Sequence, residues 1–184
     1  MDFILKKINN ALSLSDPGSY DYITYLRSRI EYSLFLCLGL LWKNFDKLDP
    51  AIQQGIISDL NKLSIGAVVG AIRSLDTIKP QMLNKKCKNV LDSYPSIRNA
   101  KIGHGYEMAG AIASSLEPLY NEMVKHNPIL QENCDIIVVQ SYNANGEATY
   151  TGIRYPYNQG GEGVRWTCPA ELFPCSDTEF SRTY

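Results

Sequence analysis

Apolar side chains recur at helical spacing through the first two thirds of this chain. The clearest run belongs to the second predicted helix and comprises Tyr22, Leu26, Ile30, Leu34, Leu38 and Leu41. Ser19 or Asp21, and Asp49 followed by Pro50, are typical residues at helix N-termini. The pattern predicts five helices, at residues 2–14, from 19 or 21 to about 45, from 49 to about 75, at about 80–92, and from about 95 to 126 with a candidate bend at Pro118.

The last third of the chain has the pattern of β-strands. Residues 135–142 are rich in β-branched side chains, and Asn143-Ala144-Asn145-Gly146 is a hairpin signal. Returning strands are predicted at 147–155 and 164–167. Three strands are too few to be stable alone, so we expect this meander to pack on the helices through an apolar side that includes Ile137, Val139 and Trp166.

Composition places the boundary between these two regimes near residue 132. All 11 lysines lie before that point, whereas residues 133–184 hold three basic and six acidic side chains, a net charge of −3. We therefore expect a helical domain at 1–132 and a β-rich extension at 133–184, which is either an appendage or the start of a further region. The formal net charge of the 184 residues is −1, so any polyanion must be met by a local basic patch.

The apolar runs and the cysteines indicate a cytoplasmic protein without a metal or a cofactor. The N-terminal run is too short for a signal peptide, and the run at 34–42 is about half the length of a membrane span. The five cysteines are scattered without a CxxC pair, and only His104 and His126 accompany them, which disfavours a zinc site. Reduced thiols in the cytosol are the simpler interpretation.

The stretch from Arg98 to Tyr106 concentrates the candidate chemistry. An arginine binds a phosphate through two parallel hydrogen bonds, and a histidine transfers protons near neutral pH. Arg98 and His104 together would suffice to cleave RNA, because RNA supplies its own nucleophile in the 2′-hydroxyl. One such pair is sparse, so we expect two copies to meet across a symmetric dimer. A histidine between two glycines is also a common packing or capping residue, and both readings stand at this point.

Other polar groups give weaker signals. Lys85, Lys86 and Lys88, with Lys101, could form a phosphate-binding patch near Arg98, although a solvated helix face is the more usual role of such lysines. Glu31 could orient the histidine or the arginine, and a surface ion pair is its simpler role.

Arg98-Asn99, a five-residue spacer and His104 resemble the R-x(4–6)-H motif of the HEPN superfamily of helical nucleases. His104-Gly105-Tyr106 is similar to the H-x-Y extension of HEPN toxins that are paired with nucleotidyltransferase antitoxins, whose spacer usually has four residues. The resemblance implies a HEPN-like helical bundle with a small antiparallel β-rich C-terminal extension. It also implies a dimeric, metal-independent endoribonuclease of phage defence, toxin–antitoxin systems or RNA processing.

In this family, Arg98 and His104 would be catalytic. Asn99 would belong to the same catalytic set with a positioning role, fixing the backbone or the partner's histidine, and Tyr106 would support the site or be modified. The implied partners are RNA, a second copy, and an antitoxin or a larger effector protein. Two alternatives stay open. One is a non-catalytic HEPN-like adaptor that dimerises or docks a protein. The other is a nucleotide-binding module in which Arg98 and Lys101 hold a phosphate.

Overall fold

The protein is mainly helical, with one small antiparallel sheet, as the hydrophobic pattern predicts. The structure is a computed structural model that describes residues 3–62, 64–103, 107–125, 127, 135–156 and 163–170. The chain divides into two compact units. One is Lys7–Glu132, and the other combines Met1–Lys6 with Asn133–Tyr184.

The first four α-helices are α1 (Phe3–Leu14), α2 (Tyr20–Leu41), α3 (Pro50–Leu60) and α4 (Ile65–Leu75). The Ser19 hydroxyl caps α2 by accepting a hydrogen bond from the backbone N–H of Tyr22 at 3.2 Å. The Asp49 carboxylate caps α3 in the same way, with proline at the first helical position. Both start signals in the sequence are therefore confirmed.

Two predicted helices are shorter in the structure. The helix predicted to reach residue 45 leaves α-helical geometry at Leu41 and continues as a 3-10 helix, Trp42–Lys47. The single helix predicted from residue 49 to 75 is wrong, because α3 ends at Leu60 and α4 starts afresh. The Ser64 hydroxyl accepts the Ala67 N–H at 3.1 Å and supplies the second cap.

The last helical region is divided differently from the prediction. Pro95 was expected to begin a helix, but it lies in the last turn of α5, Lys85–Ile97. A π-helical turn, Arg98–Gly103, follows, and α6 spans Ala109–Lys125 with Pro118 inside it. The π-helical turn at Arg98–Gly103 therefore interrupts the α-helix predicted from 95 to 126, and that prediction of one continuous helix is wrong.

Helix α2 is the centre of the helical unit. It packs against α4 and α6, while α5 packs on α6 and α3 packs on α4. Its buried face consists of Leu26, Ile30, Leu34, Leu38 and Leu41, which are at most 2% exposed. Burying a side chain of this size is worth about 1.5–3 kcal/mol, so this stripe fixes the orientation of α2 in the unit.

The sheet has the order β1-β2-β3, with β1 at Ile136–Asn143, β2 at Thr149–Tyr155 and β3 at Val164–Pro169. Both pairings are antiparallel, so the predicted meander is confirmed. Gly146 has φ +88° in the β1–β2 turn, a conformation that glycine adopts without strain. Gly152 faces the β-bulge between Val139 and Ser141, where a Cβ would overlap the carbonyl oxygen of Val138.

One face of the sheet is mostly apolar but includes Arg154, which lies opposite Ile137. The register aligns Val139, Gly152 and Trp166 in one row across the three strands, and Ile137 lies on the same face two residues before Val139. These are the residues expected on the apolar side, and the packing of that side stays a prediction. No helix within the described ranges combines the length and the apolar character that crossing a membrane requires.

Candidate functional site

Arg98 opens the π-helical turn that follows α5. Ile97 and Ile102 pack against the helical core and fix the two ends of this turn, while the Asn99 side chain between them is exposed. A π-helix has hydrogen bonds from residue i to i+5 in place of i+4, and such turns are rare and frequently lie at functional sites. The turn therefore presents Arg98, at 33% side-chain exposure, on a backbone held by the core.

Glu31 of α2 is the acceptor at the centre of the site. Its Oε1 atom lies 3.4 Å from Nε of Arg98 and accepts the Tyr94 hydroxyl hydrogen bond at 2.9 Å. Nε of Arg27, one turn earlier on α2, donates to the same oxygen at 3.0 Å. One carboxylate oxygen thus gathers three donors from two helices and the π-helical turn.

The charges in this cluster do not cancel. Two guanidinium groups and one carboxylate leave a net charge of +1, because Tyr94 is neutral near pH 7. Each arginine uses Nε for Glu31, which leaves the Nη atoms for other acceptors. Nη1 of Arg98 donates to the side-chain oxygen of Asn99 at 3.3 Å. The arrangement can therefore receive an anion at its exposed side.

Tyr94 ties the cluster to the core. Its ring is fully buried in the last turns of α5. Burial raises the pKa of its hydroxyl, and the adjacent Glu31 carboxylate raises this pKa further. The hydroxyl therefore stays protonated and acts as a fixed hydrogen-bond donor, so Glu31 cannot turn toward solvent without leaving a buried donor unsatisfied.

The motif segment, which begins at Arg98 and ends at Glu107, also contacts α2 at Glu107. Nζ of Lys101 pairs with the Glu107 carboxylate at 2.9 Å, and the Tyr20 hydroxyl donates to the backbone oxygen of Glu107 at 3.3 Å. Glu31 and Tyr20 are 11 residues apart, or about 16 Å along the α2 axis. The motif segment is therefore anchored to α2 at both of its ends.

Three of the four predicted lysines lie away from Arg98. Lys85, Lys86 and Lys88 are at the start of α5, so about 18 Å of helix axis separates Lys86 from Arg98. Lys86 pairs with Glu122 at 3.7 Å, and Lys88 pairs with the buried carboxylate of Asp76 at 3.1 Å. These lysines do not share a site with Arg98.

The structure places only part of the predicted motif. Arg98, Asn99 and Lys101 are described, whereas His104 and Tyr106 lie outside the described residues. The hydrogen bond from Arg98 to Asn99 agrees with a positioning role for Asn99. The role of Glu31 as an ion-pair partner is confirmed, and that ion pair includes the motif arginine.

Sequence reasoning placed Arg27 near Glu31 as a candidate ion-pair partner, but it missed Tyr94 and the link from Arg27 to Arg98. The i, i+4 spacing of Arg27 and Glu31 was a signal for their pairing, but nothing in the local pattern linked either to Arg98, 67 residues after Glu31. Within the described part of the chain, no three histidine, cysteine or acidic side chains are grouped as a metal site would need. Comparisons with family models, with curated proteins and with solved structures found no match to this chain.

Proposed function

We propose that this chain is a metal-independent endoribonuclease of the HEPN type, acting in defence or as a toxin. The observation that supports the proposal most directly is the placement of Arg98. It opens a core-anchored π-helical turn, its Nε is held by Glu31, and it precedes His104 by six residues. A guanidinium oriented in this way can direct its Nη atoms at a phosphate.

The proposed reaction needs no group beyond RNA and the protein. The 2′-oxygen attacks phosphorus, the bond from phosphorus to the 5′-oxygen breaks, and a 2′,3′-cyclic phosphate and a 5′-hydroxyl form. One proton leaves the 2′-hydroxyl and another is delivered to the departing 5′-oxygen. Arg98 stabilises the charge that develops on the phosphate oxygens, and His104 transfers a proton.

The two proton transfers are the reason for proposing a homodimer. With one motif histidine, His104, per copy, two copies facing each other supply one group that accepts a proton and one that donates it. Asn99 and Glu31 hold Arg98 in each copy. A crosslink between cysteines introduced at position 99 of both copies, together with a dimer mass in solution, tests this geometry.

The function is tested by incubating the purified protein with transfer RNA and messenger RNA in excess chelator. Wild type should cleave and leave 2′,3′-cyclic ends. Arg98→Ala and His104→Ala should each reduce the rate by about a hundredfold or more, corresponding to a lost transition-state interaction on the order of 3 kcal/mol. Arg73→Ala, which removes an arginine paired with Asp92 on the surface, is the matched control and should cleave normally.

Loss of cleavage in chelator, restored by magnesium or zinc, would contradict the proposed mechanism. A protein that cleaves no RNA but binds a protein partner tightly would instead be the non-catalytic adaptor. Circular dichroism and the mass in solution should be the same for wild type and variants, so that lost activity reports chemistry and not unfolding.

A further inference from the structure

Arg27 belongs to the Glu31 cluster, and the proposed reaction gives its guanidinium no role. Its side chain is 37% exposed, comparable to that of Arg98 at 33%. Its neighbour Arg29 differs, because that guanidinium is 2% exposed and donates to Asn9 and Ser33 in the interior. Of these two α2 arginines, Arg27 is therefore the one that can meet a ligand.

Glu31 holds the guanidinium groups of Arg27 and Arg98 side by side. Both Nε atoms lie within 3.4 Å of the same carboxylate oxygen, so two like charges share one counter-charge. Within the described residues, neither Nη atom of Arg27 makes a hydrogen bond, and Nη2 of Arg98 makes none. Both guanidinium groups are therefore oriented through Nε and keep Nη donors for a ligand, an arrangement that suits the oxygens of a phosphodiester.

Exposed, uncharged side chains continue this face of α2 from Arg27 toward the start of the helix. Tyr20, Thr24, Arg27 and Glu31 follow i, i+4, i+7 and i+11 spacing and so lie along one face of the helix. Thr24 and Tyr20 are both exposed and uncharged. A polyanion bound at Arg98 and Arg27 therefore passes the uncharged Thr24 next, and the charged residue beside Tyr20, Glu107, is paired with Lys101.

We propose that Arg27 is a second phosphate-binding residue, which clamps the backbone of an RNA strand together with Arg98. The proposal rests on the ribonuclease function and adds a substrate contact to it. Glu31 serves as the spacer that keeps the two guanidinium groups together in the absence of ligand. The ligand chemistry is a phosphodiester in a chain.

The test separates binding from cleavage by using 2′-O-methyl RNA, which keeps every phosphate but has no free 2′-hydroxyl. Dissociation constants for wild type, Arg27→Gln and Arg27→Lys are measured over a range of salt concentrations. Arg27→Gln should weaken binding by about tenfold, and the slope of log affinity against log salt should become shallower by about 0.7. Arg27→Lys should keep the slope and recover part of the affinity, because it keeps the charge and loses the fork.

Arg73→Gln is the matched control, since it removes the same charge from another arginine that is paired with a carboxylate. It should leave the affinity and the slope unchanged. A purely structural role for Arg27 would change the melting temperature and leave the salt slope alone. Adenosine monophosphate is the second ligand, and its binding should be weak, because it supplies one phosphate and no continuing chain.

The possible outcomes separate this proposal from the ribonuclease proposal. Unmodified RNA that is bound with an Arg27-dependent slope but never cleaved would leave the clamp standing and remove the ribonuclease. Normal cleavage together with an unchanged slope in Arg27→Gln would overturn the clamp alone. A wild-type protein that binds no RNA, or that binds adenosine monophosphate as tightly as RNA through Arg27, would also overturn the clamp.

Discussion

The hydrogen bond between Tyr94 and Glu31 should couple the stability of α5 to that of α2. A buried hydroxyl that donates to a charged acceptor contributes about 1.5–3 kcal/mol, so Tyr94→Phe should cost about 2 kcal/mol. Glu31→Ala also loses two partly exposed ion pairs, worth up to about 1 kcal/mol each, and should cost about 3 kcal/mol. The double variant should cost about 3 kcal/mol as well, because the Tyr94 bond is lost only once.

The assay is urea unfolding followed by far-ultraviolet circular dichroism at neutral pH, with the free energy of unfolding taken from the midpoint and slope. The expected coupling energy between the two substitutions is about 2 kcal/mol. Tyr94→Phe combined with Glu107→Ala is the control, since Glu107 pairs with Lys101, and it should be additive within about 0.5 kcal/mol. A coupling below about 0.5 kcal/mol in the first pair would refute the bond as the link between the helices.

Three further predictions concern pH, backbone geometry and thiols. Burial and then Glu31 raise the folded-state pKa of Tyr94 above its ordinary 10.0, so the contribution of its hydroxyl to stability is full below about pH 10 and declines as the pH rises. Between about pH 9 and 11, wild type should therefore lose more unfolding free energy than Tyr94→Phe. Equal losses would contradict this. Gly152→Ala should destabilise the sheet by about 1–3 kcal/mol, because the added Cβ would overlap a β1 carbonyl. Gly39→Ala, in open space within α2, should stabilise the protein by up to about 1 kcal/mol. Thermal unfolding measures both changes. Iodoacetamide should not label Cys37 and Cys87 in the native protein, because both thiols are buried and burial raises their pKa to about 12 and about 11. Mass spectrometry of native and urea-unfolded samples measures the labelling, and rapid labelling of the native protein would be the contrary result.

Local chemistry in the sequence was enough to predict most element types. The Ser19 cap, the Asp49-Pro50 start and the turn at Gly146 depend on side chains within a few residues of the backbone groups they serve. The same reasoning failed at Pro95, because a proline that fits the first turn of a helix is also tolerated near the end of one that is held by packing. The sequence predicts one helix through residues 60–64 because the apolar periodicity persists across the break between α3 and α4.

The candidate site was predicted by residue type but not by geometry. Arg98 was found because an arginine suits phosphate binding without reference to the fold, and Asn99 because it resembles the polar residue that follows the arginine in the HEPN motif. The partner of Arg98 is decided by the packing of α5 and the π-helical turn beside α2, which brings together residues more than 60 positions apart. No periodicity encodes that pairing. Tyr94 was missed for a related reason, since a tyrosine before a proline has the pattern of a helix boundary.

The sheet has a consequence for the solution behaviour of the protein. Among the described strands β1 lies at an edge, and Ile137, Val138 and Val139 are each more than a third exposed. Residues 136–146 contain no charged side chain, so Asp135, paired with Arg154, is the charge that borders this segment on its N-terminal side. A β-branched, uncharged edge strand is a template for intermolecular cross-β pairing. Variants that loosen the sheet should therefore aggregate in a concentration-dependent manner, whereas variants that loosen the helices should first lose helicity in solution.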